Sequence, residues 1–323
     1  MPSKLIKVLS IDGGGIRAII PALILDYIEK QSGRYTADMF DLVAGTSSGG
    51  IVALGLTYPG IRGRERFRAV ELADLFFEEG ENIFKARFGA VRQLVDEKYP
   101  HEHMERVLKQ YFGDTRLGEA VKGTLITSYD VASAHPRFFR SRLDDTDGEI
   151  EMWKVARATT AAPTFFEPFK LELPHRTEAL IDGGMIANNP AMVALTEVTH
   201  YIEDYAVTDR FDDDVLVVSL GTGRLNNYFT FDEIKDWGAL EWARPAIEIT
   251  ITGGVEAVHQ QMEEVLRAAD ARYYYRFQTD VPDSNRAMDD TTPENLVLVR
   301  QLAEQIIEDN RAELDELIAK LVD

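Results

Sequence analysis

The chain has 323 residues, 45% of them hydrophobic and 28% charged, which suits one large α/β domain or two modest ones around a sizeable core. It contains no cysteine, so disulfides, thiolate metal sites and a thiol nucleophile are excluded. Against 35 Lys and Arg stand 55 Asp and Glu, and the formal net charge of −20 disfavours nucleic acid and simple adsorption to anionic membranes.

No apolar run approaches the ~20 residues of a membrane-spanning helix, and the first one is too short for a signal-peptide core. A soluble, cytoplasmic protein, at most peripheral at a membrane, is expected. Residues 7–11 (KVLSI) form a β-branched run that ends in Asp12-Gly13-Gly14-Gly15 and leads to a helix-like stretch over 19–30. Residues 41–44 (DLVA) run into Gly45-Thr46-Ser47-Ser48-Gly49-Gly50, and 51–56 continue as an apolar helix. Two strand–turn–helix units in succession imply parallel strands joined by crossover helices.

Residues 60–112 read as mostly helical, with breaks at Gly80, Gly89 and Pro100. Strands are predicted over 124–129 and 137–140, then a helix over 153–162 that Pro163 stops. Leu180 and Ile181 run into Asp182-Gly183-Gly184, followed by a helix over 191–200. Residues 215–220 (VLVVSL) have the unbroken apolar character of a buried parallel strand and end in Gly221-Thr222-Gly223. Beyond Trp237 the chain is mainly helical apart from a strand over 273–278. No linker, repeat or low-complexity stretch divides it. One domain over 1–323 is expected, with its core motifs in 7–223 and a mainly helical part over 237–323.

Gly45-Thr46-Ser47-Ser48-Gly49 matches the G-x-S-x-G nucleophile elbow. In that motif a strained turn between strand and helix lifts the serine hydroxyl clear of the sheet, and flanking glycines let backbone crowd the turn. The placement between DLVA and IVALGL supplies the required context. The earlier Asp12-Gly13-Gly14-Gly15-Ile16-Arg17 exposes successive N–H groups at a helix start, as either a phosphate cradle or an oxyanion hole. A dinucleotide fingerprint would need glycine where Ala18 stands, and a P-loop would need Gly-Lys-Ser/Thr. With a serine elbow on the next strand, the oxyanion reading of Gly13, Gly14 and Gly15 is favoured. Asp182, freed by Gly183 and Gly184 at a strand end, can project over the same sheet edge as Ser47.

The third member of a triad would be a histidine after the acid. His200 and His259 follow Asp182, but both read as helix surface. His101, His103, His135 and His175 precede it and show no metal-ligand spacing. A Ser47–Asp182 dyad is therefore expected, in which the carboxylate takes the hydroxyl proton directly, with no metal and no cofactor.

The combination of DGGGIR, GTSSGG and DGGMIANNP resembles the patatin-like phospholipase family. ARATTAAPTFFEP at 156–168, TSYD at 127–130 and VVSLGTG at 217–223 are similar to stretches of plant and bacterial patatins, so the likeness runs from about Lys7 to Gly223. It implies a three-layer α/β/α sandwich with a mostly parallel sheet, Ser47 as nucleophile, Asp182 as general base and Gly13 to Gly15 as the oxyanion loop. Arg17 keeps the family's basic residue after the glycines. The sixth-position glycine of the family signature is Ala18 here, for which tighter packing rather than lost activity is expected.

The implied activity is a phospholipase A-type serine lipid acyl hydrolase acting on acyl esters at a membrane or micelle surface. Acyl transfer with the same dyad, or a non-catalytic phosphate- or lipid-binding or storage role, are the alternatives. An Asp182 with an ordinary pKa near ~3.9 would keep activity into mildly acidic conditions. Residues 84–99 (FKARFGAVRQLVDEKY) place Phe84, Phe88, Val91 and Val95 on one helical face, interrupted by Gly89, beside Lys85, Arg87 and Arg92. That is either a basic amphipathic patch for a lipid interface or an ordinary core-facing helix.

Overall fold

A computed structural model describes residues 5–60, 65–85, 99–142, 145–200, 215–225, 229–266, 273–282 and 287–323. The strands are β1 (Ile6–Ile11), β2 (Leu42–Gly45), β3 (Gly123–Asp130), β4 (His135–Arg140), β5 (Phe169–Leu173), β6 (Arg176–Asp182), β7 (Val215–Leu220), β8 (Arg224–Leu225), β9 (Tyr274–Phe277) and β10 (Asp280–Val281). The first helices are α1 (Ile19–Ser32), α2 (Thr36–Met39), α3 (Ser48–Leu56), α4 (Ala69–Ile83), α5 (His101–Phe112), α6 (Asp145–Gly148) and α7 (Met152–Thr159). They are followed by α8 (Gly184–Ala187), α9 (Ala191–His200), α10 (Phe231–Ile234), α11 (Ala239–Val265), α12 (Pro293–Asp309) and α13 (Arg311–Val322).

Among the described residues the main sheet runs β5-β6-β3-β2-β1-β7-β9, with β4 on the remaining edge of β3. The five strands from β3 to β9 are mutually parallel, whereas β4, β5 and β6 join antiparallel at one side. Alternation along β1 feeds two cores. Ile6 and Val8 pack with α9 and with Met262 and Leu266, and Leu9 and Ile11 pack with α1, α4, α12 and α13. Helices thus cover both faces, and the sheet is the middle of three layers. The C-terminal part takes its place in that architecture: β9 pairs with β7, and Leu314, Leu317 and Leu321 of α13 enter the larger core.

One expectation over 60–112 changes. Gly80 does not break the chain but lies inside α4, because a Cβ there would come 2.7 Å from Ile16 Cδ1. The missing side chain lets α4 approach the turn behind the glycine loop, and that packing outweighs the ~1 kcal/mol helix penalty of glycine. Pro100 does mark a boundary, as the residue before α5. Gly89 and most of the 84–99 segment lie outside the described residues. The two ends of that segment are core: Phe84 packs at 5.6 Å on Tyr99 and 6.3 Å on Phe166 between ring centroids, and Tyr99 is buried.

Strand β3 decides where the site forms. One of its edges carries β4 along residues 125–130; the other carries first β2, up to Gly45 opposite Ile126, and then β6, whose Asp182 lies opposite Ser128. Because β6 runs antiparallel to β3, the C-terminal ends of β2 and β6 meet head to head on one edge, two residues or ~7 Å apart. Thr127 fills the gap. Its hydroxyl lies 2.7 Å from Thr46 Oγ1, which itself donates to the Ala187 carbonyl at 2.6 Å.

Candidate active site

Ser47 follows the end of β2 and precedes α3, with φ 54° and ψ −128°. A non-glycine residue held in this sparsely populated region is strained by about 1–3 kcal/mol, as in nucleophile elbows. The two glycines of the motif are there for want of room. A Cβ on Gly45 would collide with the Gly49 carbonyl, and one on Gly49 with the Asp12 and Ile11 carbonyls at the end of β1. The Ser47 N–H donates to Thr159 Oγ1 at 2.8 Å, fixing the turn from the side of α7.

The Ser47 hydroxyl donates to Asp182 Oδ2 at 2.7 Å, and the other carboxylate oxygen accepts the Gly184 N–H at 2.7 Å. Gly183 admits no side chain, because a Cβ there would strike the Thr127 hydroxyl. Asp182 is buried, and burial pushes its pKa up to about 6 against the opposing effect of the Ser47 and Gly184 hydrogen bonds. The expectation of an ordinary value near ~3.9 is corrected accordingly.

The glycine loop adjoins because Ile11 of β1 lies opposite Gly45 of β2. A Cβ on Gly13 would lie 3.0 Å from Ser47 Cβ. The three amides are not equivalent. Gly13 N–H donates to the Asn188 carbonyl at 3.1 Å, Gly14 N–H donates to Ser48 Oγ at 3.2 Å, and Gly15 N–H has no hydrogen-bond partner among the described residues. Gly15 adopts φ +60° beneath the Met288 carbonyl, which leaves no space for a Cβ. Ile16 N–H donates to that same carbonyl at 2.8 Å, so residues near 288 hold the loop from above. Ala18, at φ −60° and ψ −14°, is fully buried at the start of α1, where an alanine is at ease.

Asp12 and Arg17 behave differently from one another. Asp12 is buried in a bidentate pair with Arg276 of β9, at 3.0 and 2.6 Å, and Arg276 also donates to Ser219 Oγ. Arg17 is 4% exposed, its Nε and Nη1 find no partner among the described residues, and burial lowers its pKa to about 10. It lines a cleft with Gly13, Asn188, Thr222, Ile251 and Val255.

Neither His200 nor His259 joins the Ser47–Asp182 pair. His259 meets the Tyr274 hydroxyl at 3.2 Å, and His200 is exposed at the end of α9. Among the described residues no group of three or more His, Asp or Glu could hold a metal ion. No helix among them is long and apolar enough to cross a membrane.

The sequence model of patatin-like phospholipases matches residues 9–195, which hold the glycine loop, the elbow and Asp182. The chain is 32% identical to patatin-like protein 2 of Arabidopsis thaliana, an alignment covering 94% of this chain and 83% of that one. The chain belongs to the patatin-like phospholipase family. It is 31% identical to patatin-like protein 2 of Oryza sativa subsp. indica, over 97% of this chain and 86% of the relative. It is also 28% identical, over 96% and 88%, to a Solanum tuberosum protein named probable inactive patatin-3-Kuras 1. Among solved structures it is similar to VipD from Legionella pneumophila, with 11% identity and a TM-score of 0.39, over 94% of this chain and 67% of VipD. A family with a member of that potato name leaves activity to be argued from this chain's own site.

Four site residues escaped the sequence reading. Thr159, Asn188 and Thr222 sit inside the patatin-like stretches but carry no chemical signal there; each binds backbone of the elbow or glycine loop. Arg276 lies 264 residues from its partner Asp12.

Proposed function

We propose that this protein is a serine lipid acyl hydrolase, with Ser47 as nucleophile and Asp182 as the base that activates it. The observation that carries the reading is the 2.7 Å hydrogen bond from Ser47 Oγ to Asp182 at a strained elbow. Asp182 accepts the hydroxyl proton as Ser47 Oγ attacks the ester carbonyl, and the tetrahedral oxyanion develops beside the glycine loop. Gly14 and Gly15 are its donors: Gly15 N–H is uncommitted among the described residues, and Gly14 N–H is held only by a hydroxyl that can turn away. Gly13 serves by position, since its own N–H is engaged by Asn188. The protonated Asp182 passes its proton to the leaving alkoxide. Water, deprotonated by the same carboxylate, then attacks the acyl-serine, and Asp182 returns that proton to Ser47 Oγ as the fatty acid leaves.

A carboxylate with a pKa near 6 is a stronger base than a solvated one yet still ionised at neutral pH. Gly184 N–H occupies Oδ1 and so leaves Oδ2 facing the hydroxyl. Ser47→Ala and Asp182→Asn should each lower kcat on a short-chain soluble ester by roughly 10⁴-fold or more, with the double variant hardly worse than either, as for residues that act as a unit. Near-normal turnover in Asp182→Asn would place the base elsewhere.

A further inference from the structure

Large apolar side chains that remain exposed are few, and most of them are not scattered. Of the eight among the described residues, Phe231, Leu240, Trp242, Ile249 and Val265 lie on α10 and α11, Ile186 lies on α8, two residues beyond Gly184, and Val131 and Val297 stand apart. Helix α11 packs against α8, the short helix that begins two residues after Asp182. Phe231 is 76% exposed and Leu240 91%. Phe229, Trp237 and Trp242 form a chain of edge-on rings, 5.0 and 5.1 Å between centroids, that holds two of the protein's three tryptophans near the surface. Trp242 and Ile249 are seven residues apart and share one face of α11, while Ile251 and Val255, turned well round the helix from them, line the cleft with Gly13 and Asn188. Helix α11 thus carries both the exposed aromatic residues and one wall of the cleft beside the glycine loop.

We propose that this surface docks the protein onto a lipid–water interface of zwitterionic or uncharged lipid. The inference rests on the lipid acyl hydrolase reading above. Tryptophan and phenylalanine in amphipathic helices partition to the boundary between head groups and acyl chains. Charge selects the kind of lipid: between residues 229 and 249 stand Asp232, Glu233, Asp236, Glu241 and Glu248 against Lys235 and Arg244, in a chain of formal charge −20. An anionic bilayer would repel that face, and so would a second copy of the chain.

The test uses phosphatidylcholine vesicles and the double variant Phe231→Ser/Leu240→Ser, whose side chains bear on neither the core nor the dyad. Wild-type protein co-floats with vesicles, and brominated acyl chains quench its tryptophan emission. The variant loses at least tenfold in partition coefficient and in vesicle-lipid hydrolysis, and keeps its melting temperature and its kcat/KM on a short-chain soluble ester. Phosphatidylserine in the vesicles weakens wild-type binding, and salt restores it. Equal flotation of wild type and variant overturns the docking surface, as does binding that strengthens with phosphatidylserine. A wild-type dimer that the variant dissolves, without vesicle binding, also overturns it by assigning the face to a second copy. Vesicle binding without any Ser47-dependent hydrolysis would leave the docking surface standing and remove the hydrolase reading.

Discussion

Replacing Asp182 by Asn should stabilise the protein while it silences it, and the size of the effect should depend on pH. The carboxyl rises from 3.8 to about 6 on folding, so its ionised form is penalised in the native state. A shift of that size corresponds to about 3 kcal/mol at pH 8, where the group is charged in both states. The sign follows from the direction. Below the unfolded pKa both states are protonated and the penalty vanishes; it grows as pH rises and is complete once the folded pKa has been passed. By the same linkage roughly half of it remains at pH 5. In the variant Oδ1 can still accept the Gly184 N–H, and Nδ2 can donate to Ser47 Oγ, so no polar atom is orphaned. Thermal or urea unfolding of both proteins at pH 8 and pH 5 reads the difference directly. The variant should be more stable by about 1–3 kcal/mol at pH 8 and by about half as much at pH 5. In wild type, kcat/KM on a soluble ester should fall on the acid side around pH 6. A variant that melts lower than wild type at pH 8, or an acid limb near ~4, would refute the account of Asp182 as a desolvated base.

Arg276→Leu should cost about 3–5 kcal/mol of stability, because it leaves the Asp12 carboxylate buried and unpaired; an unfolding midpoint within error of wild type would contradict this. Gly15→Ala should destabilise by about 1–3 kcal/mol and depress kcat with little change in KM, since φ +60° and the Met288 carbonyl both oppose a methyl group; steady-state kinetics and a melt check the two halves. Hydrolysis should survive an excess of a strong chelator, and a loss that calcium or zinc restores would overturn the metal-free mechanism.

The strand–turn–helix units around Gly13 and Ser47 were legible because a parallel unit writes itself locally: a β-branched run, a glycine turn, an apolar helix. The continuous apolar β7 was legible for the same reason. The pairing of Ser47 with Asp182 was expected from the glycine turns, but the strand arrangement that brings them together was not legible. It depends on β6 turning antiparallel to share an edge of β3 with β2, a pairing between residues fifty or more positions apart. Gly80 read as a break because its packing partner, Ile16, lies 64 residues earlier. The raised pKa of Asp182 and the engagement of Gly13 N–H by Asn188 are products of tertiary burial, which local sequence does not encode. The amphipathic pattern at 84–99 offered two readings. Its ends, Phe84 and Tyr99, pack on the core, while the residues that would decide between the two lie outside the described ones.

Covalent labelling tests the central claim most directly. A fluorophosphonate reacts with an activated serine hydroxyl and spares the unactivated ones, and intact mass with peptide mapping locates the adduct. One adduct per chain is predicted, at Ser47, absent in Ser47→Ala, at least a hundredfold slower (on the order of) in Asp182→Asn, and slowed as pH falls below about 6. Labelling that persists in Ser47→Ala, or that proceeds at the wild-type rate in Asp182→Asn, would contradict it.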